Sequence, residues 1–109
     1  MPTWEDVRRI ALALPGAEES TSYGNPCFKV KGRPFANTSR EPGAISTRCS
    51  PEEMELLIQA RPEVYFVTPH YLGWEAVLVR LDAVDEDELV GRLEDSYAFM
   101  RDKPKRHTR

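Results

Sequence analysis

Apolar residues recur with helical spacing near the start of the chain, where Trp4, Val7, Ile10, Ala11 and Leu14 fall on one face. Thr3 and Asp6 supply a helix start, because the hydroxyl can take a free amide and the carboxylate suits the positive end of the helix dipole. Pro15-Gly16 stops the pattern, and AEESTSYGNP after it predicts a loop with at most a short extended piece. From Cys27 the period changes to two. CFKV, PFANT and AISTRC, separated by KGR and REPG, predict a meander of three short antiparallel strands. With Phe28, Val30, Ile45 and Thr47 toward a core, alternation sends Lys29, Ser46 and Arg48 to the opposite face.

Ser50-Pro51-Glu52-Glu53 starts a second helix, with Met54, Leu57, Ile58 and Arg61 on one face and Arg61-Pro62 as its stop. EVYFV predicts a strand, VTPHYLGW a loop and EAVLVRL a further strand. Asp85 and Glu88 repeat the capping pattern ahead of a third helix, whose apolar face is Leu89, Leu93, Tyr97 and Met100. The order α-β-β-β-α-β-β-α predicts a two-layer α+β domain over residues 1–100, with an antiparallel sheet of about five strands and helices on one face. The other face is expected to be at least partly open to water. Residues 101–109 form a basic tail, expected to be flexible.

A chain of 109 residues has room for one core, and 40% hydrophobic with 30% charged residues suits a soluble, folded protein. The two cysteines, Cys27 and Cys49, are too few for a stapled secreted scaffold and are expected as small buried hydrophobes. No apolar run is long enough for a membrane span, and the N-terminus lacks the order of a signal peptide, so the cytoplasm is the expected location. Net charge is −3, but residues 27–49 carry five bases against one acid, whereas residues 82–100 carry seven acids against one base. The chain is therefore bipolar in charge.

Several segments, ALALPGAEESTSYGNPCFKV, CSPEEMELL and above all FVTPHYLGWEAVLVRLDAVDEDEL, resemble the MmcQ/YjbR family of small bacterial proteins. The resemblance runs from about Val7 to about Tyr97 in the same order and spacing. It implies an α+β fold likened to CyaY and to secretion chaperones. It also implies DNA binding, through a sheet compared with the double-wing module of a phage transcription factor.

Lys29, Arg48 and Arg80 on the open sheet face, with Lys31 and Arg33 at a hairpin tip, are candidate nucleic-acid contacts, since cations that meet phosphates release counterions. Tyr23 and Pro26 belong to a turn before the first of these strands. In the loop Thr68-Pro69-His70-Tyr71-Leu72-Gly73-Trp74, the His could act as a base and the aromatics could stack on a planar ligand. The loop also reads as a rigid corner, with His70 pinning it and Tyr71 and Trp74 closing the end of the core. No nucleophile elbow, phosphate cradle or metal-ligand spacing accompanies it, so no catalytic residue, metal or cofactor is expected. The leading expectation is a non-enzymatic, monomeric binding protein that lays its basic sheet face on DNA. Two alternatives stand beside it: a chaperone-like module holding a protein partner on a sheet edge and the Tyr71-Leu72-Trp74 corner, and a small-ligand protein or enzyme centred on His70.

Overall fold

The computed structural model describes residues 2–71 and 73–104. Helix α1 (Trp4–Leu12) opens on a reciprocal cap in which Thr3 Oγ1 accepts from the Asp6 N–H and the Asp6 carboxylate accepts from the Thr3 N–H. Helices α2 (Pro51–Ala60) and α3 (Glu86–Arg101) start on Ser50 and Asp85, whose side chains accept from the N–H groups of Glu53 and Glu88.

Six strands, β1 (Glu18–Ser22), β2 (Asn25–Val30), β3 (Arg33–Thr38), β4 (Ala44–Arg48), β5 (Tyr65–Phe66) and β6 (Ala76–Arg80), form one antiparallel sheet in the order β1-β2-β3-β4-β6-β5. The α+β, two-layer expectation holds, with one strand more than expected. β1 lies in the segment expected to be a loop with a short extended piece, and it is a full strand of the sheet. Its sequence, EESTS, has no buried position and so no alternation to detect, because it is an outer strand held by backbone pairing to β2. The turn that joins them, Tyr23-Gly24, has φ of 53° and 81°, the twist a two-residue hairpin requires. β5 is shorter than EVYFV suggests, because the N–H groups of Val64 and Tyr65 both bond back to the Arg61 carbonyl at the end of α2.

Phe28, Val30, Ile45 and Thr47 are buried on one face of the sheet as the alternation requires. Val7 and Ile10 of α1, Met54, Leu57 and Ile58 of α2, and Leu89 and Leu93 of α3 all pack into the cluster on that face. All three helices therefore lie on one side. α3 buries its expected residues, Leu89, Leu93, Tyr97 and Met100, and also Arg92 and Ser96. These last two form a polar clamp. Between Phe28↔Ala36 and Lys29↔Pro34, β3 carries one extra residue, Phe35, and this bulge leaves both Phe35 and Ala36 fully buried. Ser96 Oγ donates to the Phe35 carbonyl (2.6 Å) and accepts from the Arg48 N–H (2.7 Å). Arg92 donates to the Arg48 carbonyl (2.9 Å) and to Glu53 (3.3 Å).

Arg33 donates to the carbonyls of Met100 and Lys103, both at 2.8 Å, so the first residues of the expected tail are tied to β3. Lys105 to Arg109 lie outside the described residues.

Ser96→Ala would leave a buried N–H and a buried carbonyl without their partner, and should cost about 2–4 kcal/mol, read as a lower urea midpoint at unchanged slope. Glu94→Ala, an exposed position on the same helix, should stay within about 0.5 kcal/mol.

Cys27 and Cys49 are free thiols with no exposed surface, and burial pushes both upward, Cys49 to about 11 from an ordinary 9.0. Both should resist a water-soluble disulfide reagent at pH 8 until the protein is denatured. Between about pH 9 and 11 the unfolded chain loses the Cys49 proton while the folded chain keeps it, so stability falls with rising pH across that window. Cys49→Ala should flatten that part of the curve in denaturation at successive pH values.

Candidate functional site

The sheet face without helices is not flat. Leu78 alternates with Val77 and Val79, which face the core, so it points to the helix-free side, yet it has no exposed surface. Ser46, its partner across β4, is 3% exposed. Phe66 of β5 is the neighbour of Leu78 across the register, and Tyr71, from the connection between β5 and β6, lies in the lining beside Ser46. Pro69–Tyr71 form a single 3-10 turn, begun by the bond from the Tyr71 N–H to the Thr68 carbonyl (2.9 Å). Gly73, with φ of 85°, bends the chain back toward β6. The Arg40 N–H donates to Tyr71 Oη (3.2 Å), which fixes this ring to the β3–β4 connection.

Tyr71 is buried but stands outside the main cluster, and it lines the helix-free side beside Ser46, with Trp74 43% exposed next to it. His70, Tyr71 and Trp74 pack on one another with ring centroids 4.9 to 5.6 Å apart. Leu72, expected in the same apolar corner, lies outside the described residues.

This loop is one wall of a groove of 560 Å³, a size within the roughly 300–1,000 Å³ of small-molecule sites. Asn37 and Ser46, neighbours on β3 and β4, form the floor. Tyr23 and Asn25 at the β1–β2 tip form the other wall, and Arg40 and Arg48 also line the groove. Arg48 lies 5.7 Å from the Trp74 ring centroid. Desolvation holds its guanidinium below the ordinary arginine range, partly offset by Glu75 and Tyr71. Two buried atoms of groove residues, Arg48 Nε and Asn37 Oδ1, have no hydrogen-bond partner among the described residues. Arg48 makes no ion pair among them either.

The other expected site residues divide by face. Lys29 and Arg80 share the helix-free face with Arg48, but Lys29 lies opposite Glu18, and Arg80 sits 3.9 Å over Phe66 near the outer strand β5. Lys31 is at the β2–β3 tip with φ of 53°, and Arg33 is spent on the carbonyls of the α3 C-terminus. Pro26, exposed at the start of β2, accepts through its carbonyl from the Thr38 hydroxyl. Tyr23 is 99% exposed and His70 is exposed, with Nδ1 3.2 Å from the Arg40 guanidinium. Asn37 and Arg40 were not among the sequence candidates. The sheet register sets Asn37 beside Ser46, and the bond from the Arg40 N–H to Tyr71 Oη holds Arg40 at the groove. Among the described residues, no group of three or more His, Cys, Asp or Glu could hold a metal ion, and no helix is long and apolar enough to cross a membrane.

Tyr71→Phe removes only the acceptor for the Arg40 N–H and should cost about 0.5–1.5 kcal/mol. Tyr71→Ala removes a buried aromatic ring and should cost about 3–5 kcal/mol; thermal unfolding of the two variants checks the contrast.

Known proteins share this architecture. The YjbR family model matches residues 12–99. The uncharacterised protein Mb2600 of Mycobacterium bovis is 30% identical over 118 residues, spanning 94% of this chain and 92% of its own. The uncharacterised protein Rv2570 of Mycobacterium tuberculosis matches over the same extent. A crystal structure of Deinococcus radiodurans protein DR2400, with the family domain DUF419, is similar with a TM-score of 0.79 and 29% identity, covering 94% of this chain and 81% of that one. With the whole sheet, α2, most of α3 and the aromatic loop inside the matched span, the chain belongs to the YjbR family.

Proposed function

We propose that this protein is a non-enzymatic binding module that engages nucleic acid through the helix-free face of its sheet. The observation that carries the reading is the placement of Lys29, Arg48 and Arg80 on one face while the helices, with acids in every first turn, lie on the other. These three bases stand apart from the acidic first turns of the helices, so a polyanion approaching the sheet avoids those turns. His70 supports a binding role over catalysis. Its Nδ1 faces the Arg40 guanidinium, where a catalytic dyad would place a carboxylate to orient and stabilise the imidazolium.

Fluorescence anisotropy with labelled genomic fragments, single-stranded and duplex, tests the reading. Affinity should fall steeply between roughly 50 and 200 mM salt. Lys29→Glu combined with Arg80→Glu should weaken binding at least about tenfold and lower the salt slope by about two. Absence of binding to either form at the lower salt overturns the proposal.

A further inference from the structure

Tyr23 breaks a local rule. It occupies the first position of a two-residue hairpin turn with φ of 53°, a backbone shape that Gly, Asn and Asp adopt more readily than an aromatic residue. No packing offsets this, since the residue is 99% exposed. A strained aromatic held out in water on the wall of a groove is a candidate contact surface. On the other wall Trp74 is 43% exposed, and the desolvated Arg48 lies beside it.

We infer that the groove receives a nucleoside phosphate whose base is unpaired, with the base stacking on Tyr23 and Trp74 and the phosphate meeting Arg48. The inference rests on the nucleic-acid reading above and narrows it. Aromatic platforms act on the faces of bases, which a duplex keeps stacked on one another, so they select unpaired bases. Duplex readout instead requires a convex element that enters a groove and reaches base edges. This site is concave, with rings on its two walls. Its polar atoms suit the same occupant. The Arg48 guanidinium can donate to a phosphate oxygen, and the Asn37 amide can pair with a polar base edge such as that of adenine. The ligand chemistry is shared by a free nucleotide and by one residue of a single strand.

The test is quenching of tryptophan fluorescence by adenosine monophosphate, by a short deoxyadenosine strand and by a mixed-sequence duplex. Trp74→Phe, which leaves Trp4 stacked on Phe28, serves as the signal control. The strand should quench in the wild type and lose the effect in Trp74→Phe. Tyr23→Asn places a residue suited to positive φ at the turn, so it should fold at least as well while binding about tenfold or more weakly. Arg48→Gln, which keeps the backbone bonds of Arg48 to Ser96 and Arg92, should weaken the strand and the mononucleotide together. Equal affinity for mononucleotide and strand supports the inference with a free nucleotide as the source, and a much tighter strand supports it with single-stranded nucleic acid. A duplex bound as tightly as the strand, with Tyr23→Asn unaffected, overturns the inference and leaves the broader reading standing. Absence of binding to all three overturns both.

Discussion

The last residue of β4 is held from behind. Both backbone polar groups of Arg48 are taken by α3, its N–H by Ser96 and its carbonyl by Arg92. Ser96 also holds the carbonyl of Phe35 at the bulge in β3, so one helix turn fixes the relative position of two strands. Because α3 approaches from the core side, the Arg48 side chain is left to the other face, beside Trp74. Helix packing is thereby converted into placement of a cation it never touches. Arg92 is itself a buried charge, tolerable because it pairs with Glu53 and donates to a carbonyl.

The second constraint is cover for the helix-free side of β6. A sheet with helices on one face only can leave the other wet, provided the outward side chains are polar. Leu78 is not polar but is fully buried with Phe66 as its cross-strand neighbour, and Tyr71 of the aromatic loop is buried beside Ser46. Tyr71 is committed to this structural role, which leaves Trp74 and His70 at the rim, where they are exposed. Fold and site therefore share one loop but divide its residues.

What was legible in the sequence follows the strength of each physical signal. The helices declared themselves through caps and apolar spacing, and the faces of β2 and β4 through alternation at Phe28, Val30, Ile45 and Thr47. β1 stayed hidden because an exposed outer strand has no apolar period. Arg92 and Ser96 stayed hidden because polar residues signal nothing until their partners, distant in sequence, are known. The burial of Leu78 was partly available: AVL at the start of β6 is a continuous apolar run, the mark of a strand buried on both faces. The groove itself was not available, because Tyr23, Asn37, Arg48 and Trp74 meet only through the register of β2, β3, β4 and β6.

That register has a kinetic side. β6 lies between β4 and β5 in the sheet but follows both in the chain, so pairing it with β4 closes a long loop that contains α2 and β5. Contacts of such long sequence separation form late, after the loop-closure entropy has been met. The β1–β2 and β2–β3 hairpins, closed by two-residue turns, can form early and alone. One wall of the groove thus belongs to the local, early half of the molecule and the other to its long-range, late half. A ligand spanning the two would act mainly as a brake on unfolding, lengthening the lifetime of the native state more than it hastens its arrival.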